Sequence, residues 1–266
     1  MDDQVITSIH QALDALERVE GVAVLLAVES GSRAWGFPSV DSDYDVRFIY
    51  IRRPEWYLSI DLENQRDVIE RPLENEIDLS GWDVRKALRL FHKSNPPLLE
   101  WLQCPFIYRE RFSLAAHLRE LLPEFYSPKA CFYHYLHMAK GNIREYLHGE
   151  TVWRKKYFYV LRPLLAMRWI DQGCGPVPIE FQKLVDATVD DRTLRSAISD
   201  LVSAKRAGVE LERGPRIPAI SDFVEKEMAR LGQMVSDRVD PALDVHGLND
   251  LFRSTLNEVW QNEQPT

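Results

Sequence analysis

Apolar residues change their period several times along the first 110 positions, and each change marks an element. Val5, Ile6, Ile9, Leu13 and Leu16 recur at helical spacing, predicting an amphipathic helix over 4–19. The run GVAVLLAVE (21–29) is short and almost continuously apolar, the pattern of a buried strand. VRFIYI (46–51) reads as the next strand. A polar stretch with Pro54 follows, and then RDVIE and NEIDLS are expected to pair around a turn at RPLEN. From Asp83, DVRKALRLFHKS returns to a helical period, with Asp83 as its cap. That helix stops at NPP, because a residue before proline is driven out of helical geometry; Asn95, Pro96 and Glu100 read as structural, ending one helix and starting another.

Beyond about residue 110 the strand pattern fades. In 129–148 Phe132, Leu136, Ala139, Ile143 and Leu147 share one helical face, beside a stripe of Tyr133, His137, Lys140, Arg144 and His148. Residues 154–170 repeat the scheme: Phe158, Leu161, Leu165 and Trp169 are apolar, with Lys155, Tyr159 and Arg162 alongside, and Pro163 is expected to kink the helix. Turn-rich GCGPVP and RGPRIPAI punctuate the remaining helical pattern. The reading is α+β: a small α/β unit over 1–108, then an all-helical unit over 109–266. No internal repeat or low-complexity tract interrupts it.

A chain of 266 residues with 45% hydrophobic and 28% charged residues has ordinary globular composition. No apolar run approaches the roughly 20 residues of a membrane span. The acidic, amphipathic N-terminus does not resemble a signal peptide, so a cytoplasmic protein is expected. Cys104, Cys131 and Cys174 have no paired metal spacing and read as reduced thiols. Net charge is −8, but it is unevenly spread: −10 over 1–80, +8 over 81–170 and −6 over 171–266. Carboxylates holding cations beside a segment that meets a polyanion would give this layout; solvated charged faces are the alternative.

The loop ESGSRAWGFPSVDSDYD between the first two strands concentrates the chemistry. Its two glycines have P-loop spacing, but Phe37 and Pro38 stand where Lys and Ser or Thr are required. Asp41-Ser-Asp-Tyr-Asp45 opens like an EF-hand loop, yet Val46 and Arg52 occupy the positions of its glycine and glutamate. What remains is a strand, a Gly-Ser turn and a strand opening on Asp43-Tyr-Asp45. Alternation puts Asp43 and Asp45 on one face roughly 7 Å apart, suited to hard cations such as magnesium. Backbone around Gly31 and Ser32, with Arg33, could cradle a phosphate.

Gly31-Ser32, some ten residues and then Asp43-Tyr-Asp45 on a strand resemble the signature of the polymerase-beta-like nucleotidyltransferases, with Gly36 and Ser42 also matching. The segment around Asp78 and KKYFYVLRPLLAMRWI resembles one branch of that superfamily, bacterial and phage predicted nucleotidyltransferases related to an RNA-repair-associated group, over about residues 22–225. The resemblance implies a mixed-sheet nucleotidyltransferase domain that transfers a nucleoside monophosphate from a nucleoside triphosphate to an acceptor hydroxyl, with two Mg2+ (or Mn2+) ions. It implies Asp43, Asp45 and a third carboxylate as catalytic and metal-binding residues. Asp78 is the candidate for the third, with Glu76 on the same face as the alternative.

Gly31, Ser32, Arg33, Lys140, Lys155, Lys156 and Arg162 are the expected nucleotide-binding residues, with Tyr157 or Tyr159 stacking on the base. A solvated helix face is the other reading of the four helical cations, and Trp35 reads as packing. The acceptor is expected to be an RNA 3′ end. A protein side chain, a small molecule, or a nucleotide-binding module without catalysis are the alternatives.

Overall fold

The computed structural model describes residues 3–74, 76–209, 211–232 and 244–261. In chain order the elements are α1 (Asp3–Glu20), β1 (Val22–Glu29), α2 (Gly31–Ala34), β2 (Tyr44–Arg52), α3 (Pro54–Tyr57), β3 (Val68–Glu74), β4 (Ile77–Asp83), α4 (Val84–His92), α5 (Pro96–Gln103), β5 (Ile107–Glu110), α6 (Leu114–Phe125), α7 (Pro128–Tyr146), β6 (Thr151–Trp153), α8 (Tyr157–Asp171), α9 (Phe181–Thr188), α10 (Arg192–Arg206), β7 (Arg213–Pro215), α11 (Pro218–Gly232) and α12 (His246–Trp260). The architecture is α+β, a mixed sheet with a largely helical remainder, as the pattern of the sequence predicts.

The five strands lie in the order β3-β4-β2-β1-β5. β1 pairs antiparallel with β2 and β5, β3 pairs antiparallel with β4, and β2 and β4 run parallel. One sheet face is covered by α1, whose Ile9, Leu13 and Leu16 join Val24, Val46, Phe48, Tyr50 and Leu79 in one buried cluster. Alternation then sends Asp45, Arg47, Ile49 and Ile51 to the other face. α4 packs against β2 and β4, and α6 packs against β1 and α5. Gly81 is required in β4: a Cβ there would come within 2.1 Å of the Phe48 ring.

Local signals explain most boundaries. The Asp83 carboxylate accepts from Arg85 N at 2.8 Å and caps α4, and Asn95 Oδ1 accepts from Leu98 N to cap α5. The β3–β4 connection is tighter than the sequence suggests. Arg71 pairs with Leu79 and Glu74 with Ile77, so most of the expected turn is strand, and Glu76 takes a left-handed φ of 66°.

The chain forms two compact units. The sheet unit holds β1–β5 and α1–α6 and also takes in α12, far along the sequence. The helical unit holds α7–α11 with the small β6–β7 ribbon, together with Trp35–Ser42. These units cross the division expected at 108/109, because burial rather than chain order groups the elements. Trp35–Ser42 is built into the helical unit: Phe37 stacks on Phe158, Trp35 O accepts from Phe181 N, and Arg206 donates to Gly36 O. In α7 Tyr135 is buried on the apolar face, where Leu136 was expected. α8 is buried on nearly every side, since α7, α9 and α11 all pack against it.

Candidate active site at the head of the parallel strands

β1 ends at Glu29, turns through Ser30 into the single turn of α2, and the sheet resumes at Tyr44. Because β2 and β4 are parallel and in register, Asp45 lies directly beside Asp78. Two like charges on adjacent strands repel, and Arg47, two residues along on the same face, answers them. Its guanidinium donates to Asp45 Oδ1 at 3.1 Å and to Asp78 Oδ2 at 2.8 Å, and also reaches the Asp78 carbonyl at 3.3 Å. Asp78 is therefore the carboxylate tied to Asp45, whereas Glu76 is an exposed turn residue.

Gly31 closes the other side. Its φ is +59°, and a Cβ there would stand 2.1 Å from Asp45 Oδ2. Only glycine lets the backbone approach that carboxylate. Ser30 N donates to Asp45 O at 2.9 Å, locking the turn onto β2. Arg33 Nε donates to Asp43 O at 3.2 Å, and its guanidinium lies 3.8 Å from the Tyr44 ring centroid. Asp43, exposed, directly precedes the strand, and Ser32 is half-buried in α2.

Electrostatically both neighbouring aspartates bear on Asp45. Burial pushes the Asp45 carboxyl above the usual carboxylate range, Arg47 pulls it down, and Asp78 and Asp43 push it up again. Such a cluster is short of positive charge even with its arginine in place. Among the described residues no three His, Cys, Asp or Glu side chains converge closely enough to hold a metal ion unaided. The donor chemistry nevertheless fits a hard divalent cation, since half-exposed carboxylate oxygens are its preferred ligands.

Sequence reasoning missed two members of this site. Glu29 is fully buried beneath it and accepts from Asp45 N at 2.9 Å, from Ser30 N at 3.1 Å and from Tyr108 Oη. Burial pushes its carboxyl up, and these donors oppose the shift. The available signal was a charged residue closing an otherwise apolar strand. Arg47 carried the same kind of signal, a cation inside VRFIYI two residues after Asp45.

The remaining expected residues all lie in the helical unit. Lys140 is exposed on α7. Lys156 Nζ sits 4.4 Å and 4.5 Å from the ring centroids of Tyr146 and Tyr159, and Lys155 is exposed. Both line a cavity of about 380 Å³ with Lys205, Ser39, Asp41 and Glu212. Arg162 is only 3% exposed and donates to the carbonyls of Pro178 and Ile179. Tyr157 is buried, its hydroxyl bonded to Ser221 and Ile217 N, while Tyr159 is exposed. Trp35 packs edge-on against Tyr159.

The Gly31-Ser32 turn thus packs against Asp45 at the head of β2, and Asp78 stands in register on the parallel neighbour β4. The chain belongs to the RlaP family, the RNA repair pathway DNA polymerase beta family, whose model matches residues 5–254. It is similar to the uncharacterized protein YcgL of Bacillus subtilis (strain 168), with 47% identity over 257 residues, 95% of this chain and 98% of that one. A solved nucleotidyltransferase-like protein from Exiguobacterium sibiricum 255-15 aligns over 96% of this chain and 91% of its own, at 14% identity and a TM-score of 0.32. Among the described residues no helix is long and apolar enough to cross a membrane.

Proposed function

We propose that the protein is a magnesium-dependent nucleotidyltransferase that moves a nucleoside monophosphate from a nucleoside triphosphate to the 3′ hydroxyl of an RNA. The observation that supports this most is the pairing of Asp45 with Asp78 under Arg47, with Gly31 cleared to admit the Asp45 carboxylate. Asp43, Asp45 and Asp78 would hold the magnesium ions. Held there, they would supply positive charge that offsets the negative charge of the reacting phosphates.

The chain's own groups do the rest. The acceptor oxygen forms a bond to the α-phosphorus, the bond from that phosphorus to the bridging oxygen breaks, and pyrophosphate leaves. Asp78 takes the hydroxyl proton. Gly31 and Ser32 present backbone and hydroxyl donors to the distal phosphates, and Arg33, steadied on Tyr44, adds charge. Glu29 acts from below by holding the amides of Ser30 and Asp45, fixing the turn relative to the strand.

Incubation with α-labelled nucleoside triphosphates, magnesium and single-stranded RNA tests this reading. Label is expected in the RNA, and Asp43→Asn with Asp45→Asn should reduce it by about 10³-fold or more, the scale seen when transition-state charge stabilisation is removed. Label appearing on protein instead, or nucleotide binding with no transfer to any acceptor, overturns it.

A further inference from the structure

α4 and its cap concentrate cations in a way the candidate active site does not use. Arg85, Lys86, Arg89, His92 and Lys93 fall within nine positions, and the buried cap Asp83 is the sole carboxylate between residues 79 and 93. Arg85, Arg89, His92 and Lys93 follow the i, i+4, i+7, i+8 spacing of one helical face. All four line a cavity of about 320 Å³ between α4 and α12, within the sheet unit. Its apolar lining comes from Leu88, Val245, Leu248 and Phe252, and no carboxylate among the described residues lines it.

The arginines already converge on one oxyanion. Glu63, largely exposed, accepts from Arg85 at 2.6 Å and stands 3.7 Å from Arg89. Two guanidinium groups one helical turn apart can thus reach a single negative group, and guanidinium forks match phosphate oxygens closely. The cavity of the helical unit differs, since two carboxylates, Asp41 and Glu212, line it beside its three lysines.

We propose that the α4–α12 cavity seats the backbone of a single-stranded nucleic acid, with phosphates on Arg85, Arg89 and Lys93 and a sugar or base against Leu88 and Phe252. This rests on the reading that the acceptor is RNA. Charge complementarity favours a strand carrying one phosphate per residue, and the apolar floor suits the planar groups between phosphates. An acidic peptide meets the same cations and is the rival outcome.

The test is fluorescence anisotropy with a 5′-labelled 12-nucleotide RNA in EDTA, without nucleoside triphosphate, across 50–300 mM KCl. Wild type should bind with marked salt dependence. Arg89→Gln with Lys93→Gln should weaken binding roughly 10- to 30-fold and flatten the log–log salt slope by about 1.4, the two phosphate contacts each counting about 0.7. Lys93→Gln alone, at an exposed position, should give about half that change in slope. Lys183→Gln in the helical unit should leave binding unchanged.

Unaltered affinity and slope in both α4 variants overturns the proposal, as does a labelled acidic peptide binding this face while RNA does not. The failure of the transferase reading shows separately. Asp45→Asn should bind the strand like wild type while losing transfer, and wild-type strand binding that depends on α4 without transfer sinks only that reading.

Discussion

Gly31 shows how one position can carry both a backbone and a site requirement. Its left-handed φ suits glycine, and the Asp45 oxygen fills the space that a side chain would need. Gly31→Ala should destabilise the protein by about 1–3 kcal/mol in urea unfolding, the scale of a strained left-handed residue. It should also lower transfer activity by more than its stability loss explains, because Asp45 has to move. Wild-type stability together with wild-type turnover would show that the contact is dispensable. Glu29 and Arg47 belong to the same scale. Each is a charge that an apolar strand tolerates only because specific partners meet it, and no local pattern names those partners.

Elements were legible where a local signal sets them. α4 begins where Asp83 can cap it, but its cap is also buried and bonded to Tyr57 at 2.7 Å. Burial pushes the Asp83 carboxyl up to about 6 from 3.8, against the pull of Tyr57 and the Arg85 amide. A raised carboxylate pKa means the folded state binds the proton more tightly than the unfolded one. The group therefore favours folding below pH 3.8, and that contribution fades as pH rises through 6.

Asp83→Asn keeps the cap without the ionisation. Relative to wild type it should gain roughly 2–3 kcal/mol between pH 4 and pH 7.5 in denaturant titrations. A difference that stays constant with pH would contradict the assignment. The β3–β4 turn and the buried circumference of α8 were less legible for a related reason. Strand pairing and packing on three neighbours override local turn and amphipathic patterns.

At the scale of the molecule, connections far apart in sequence hold each unit together. In the helical unit Glu227, nearly fully buried on α11, accepts from Arg168 of α8 at 2.7 Å and from Arg230 Nε at 3.0 Å. Burial alone would raise its carboxyl, but the two arginines hold it below the usual range. Its contribution is therefore present above pH 4.5 and is lost as pH falls through the lowered value. Glu227→Gln should cost about 1–3 kcal/mol at pH 7, below the fully buried range because water reaches both guanidinium groups. The deficit should shrink below pH 4.5, as read from paired unfolding curves. In the sheet unit α12 returns from the far end of the sequence to cover α4, completing the cationic cavity.

The sequence by itself determined the strand–turn–strand that carries Gly31, Asp43 and Asp45, the Asp83 cap of α4 and the α+β class. Periodicity and turn chemistry act over a few residues, so they can be read locally. Only the tertiary structure decided that Asp78 lies beside Asp45, that Arg47 and Glu29 serve the same site, that Arg162 is buried, and that residues 35–42 belong with the helices. Those outcomes depend on parallel register and on which apolar surfaces meet, and both arise from contacts between segments distant along the chain.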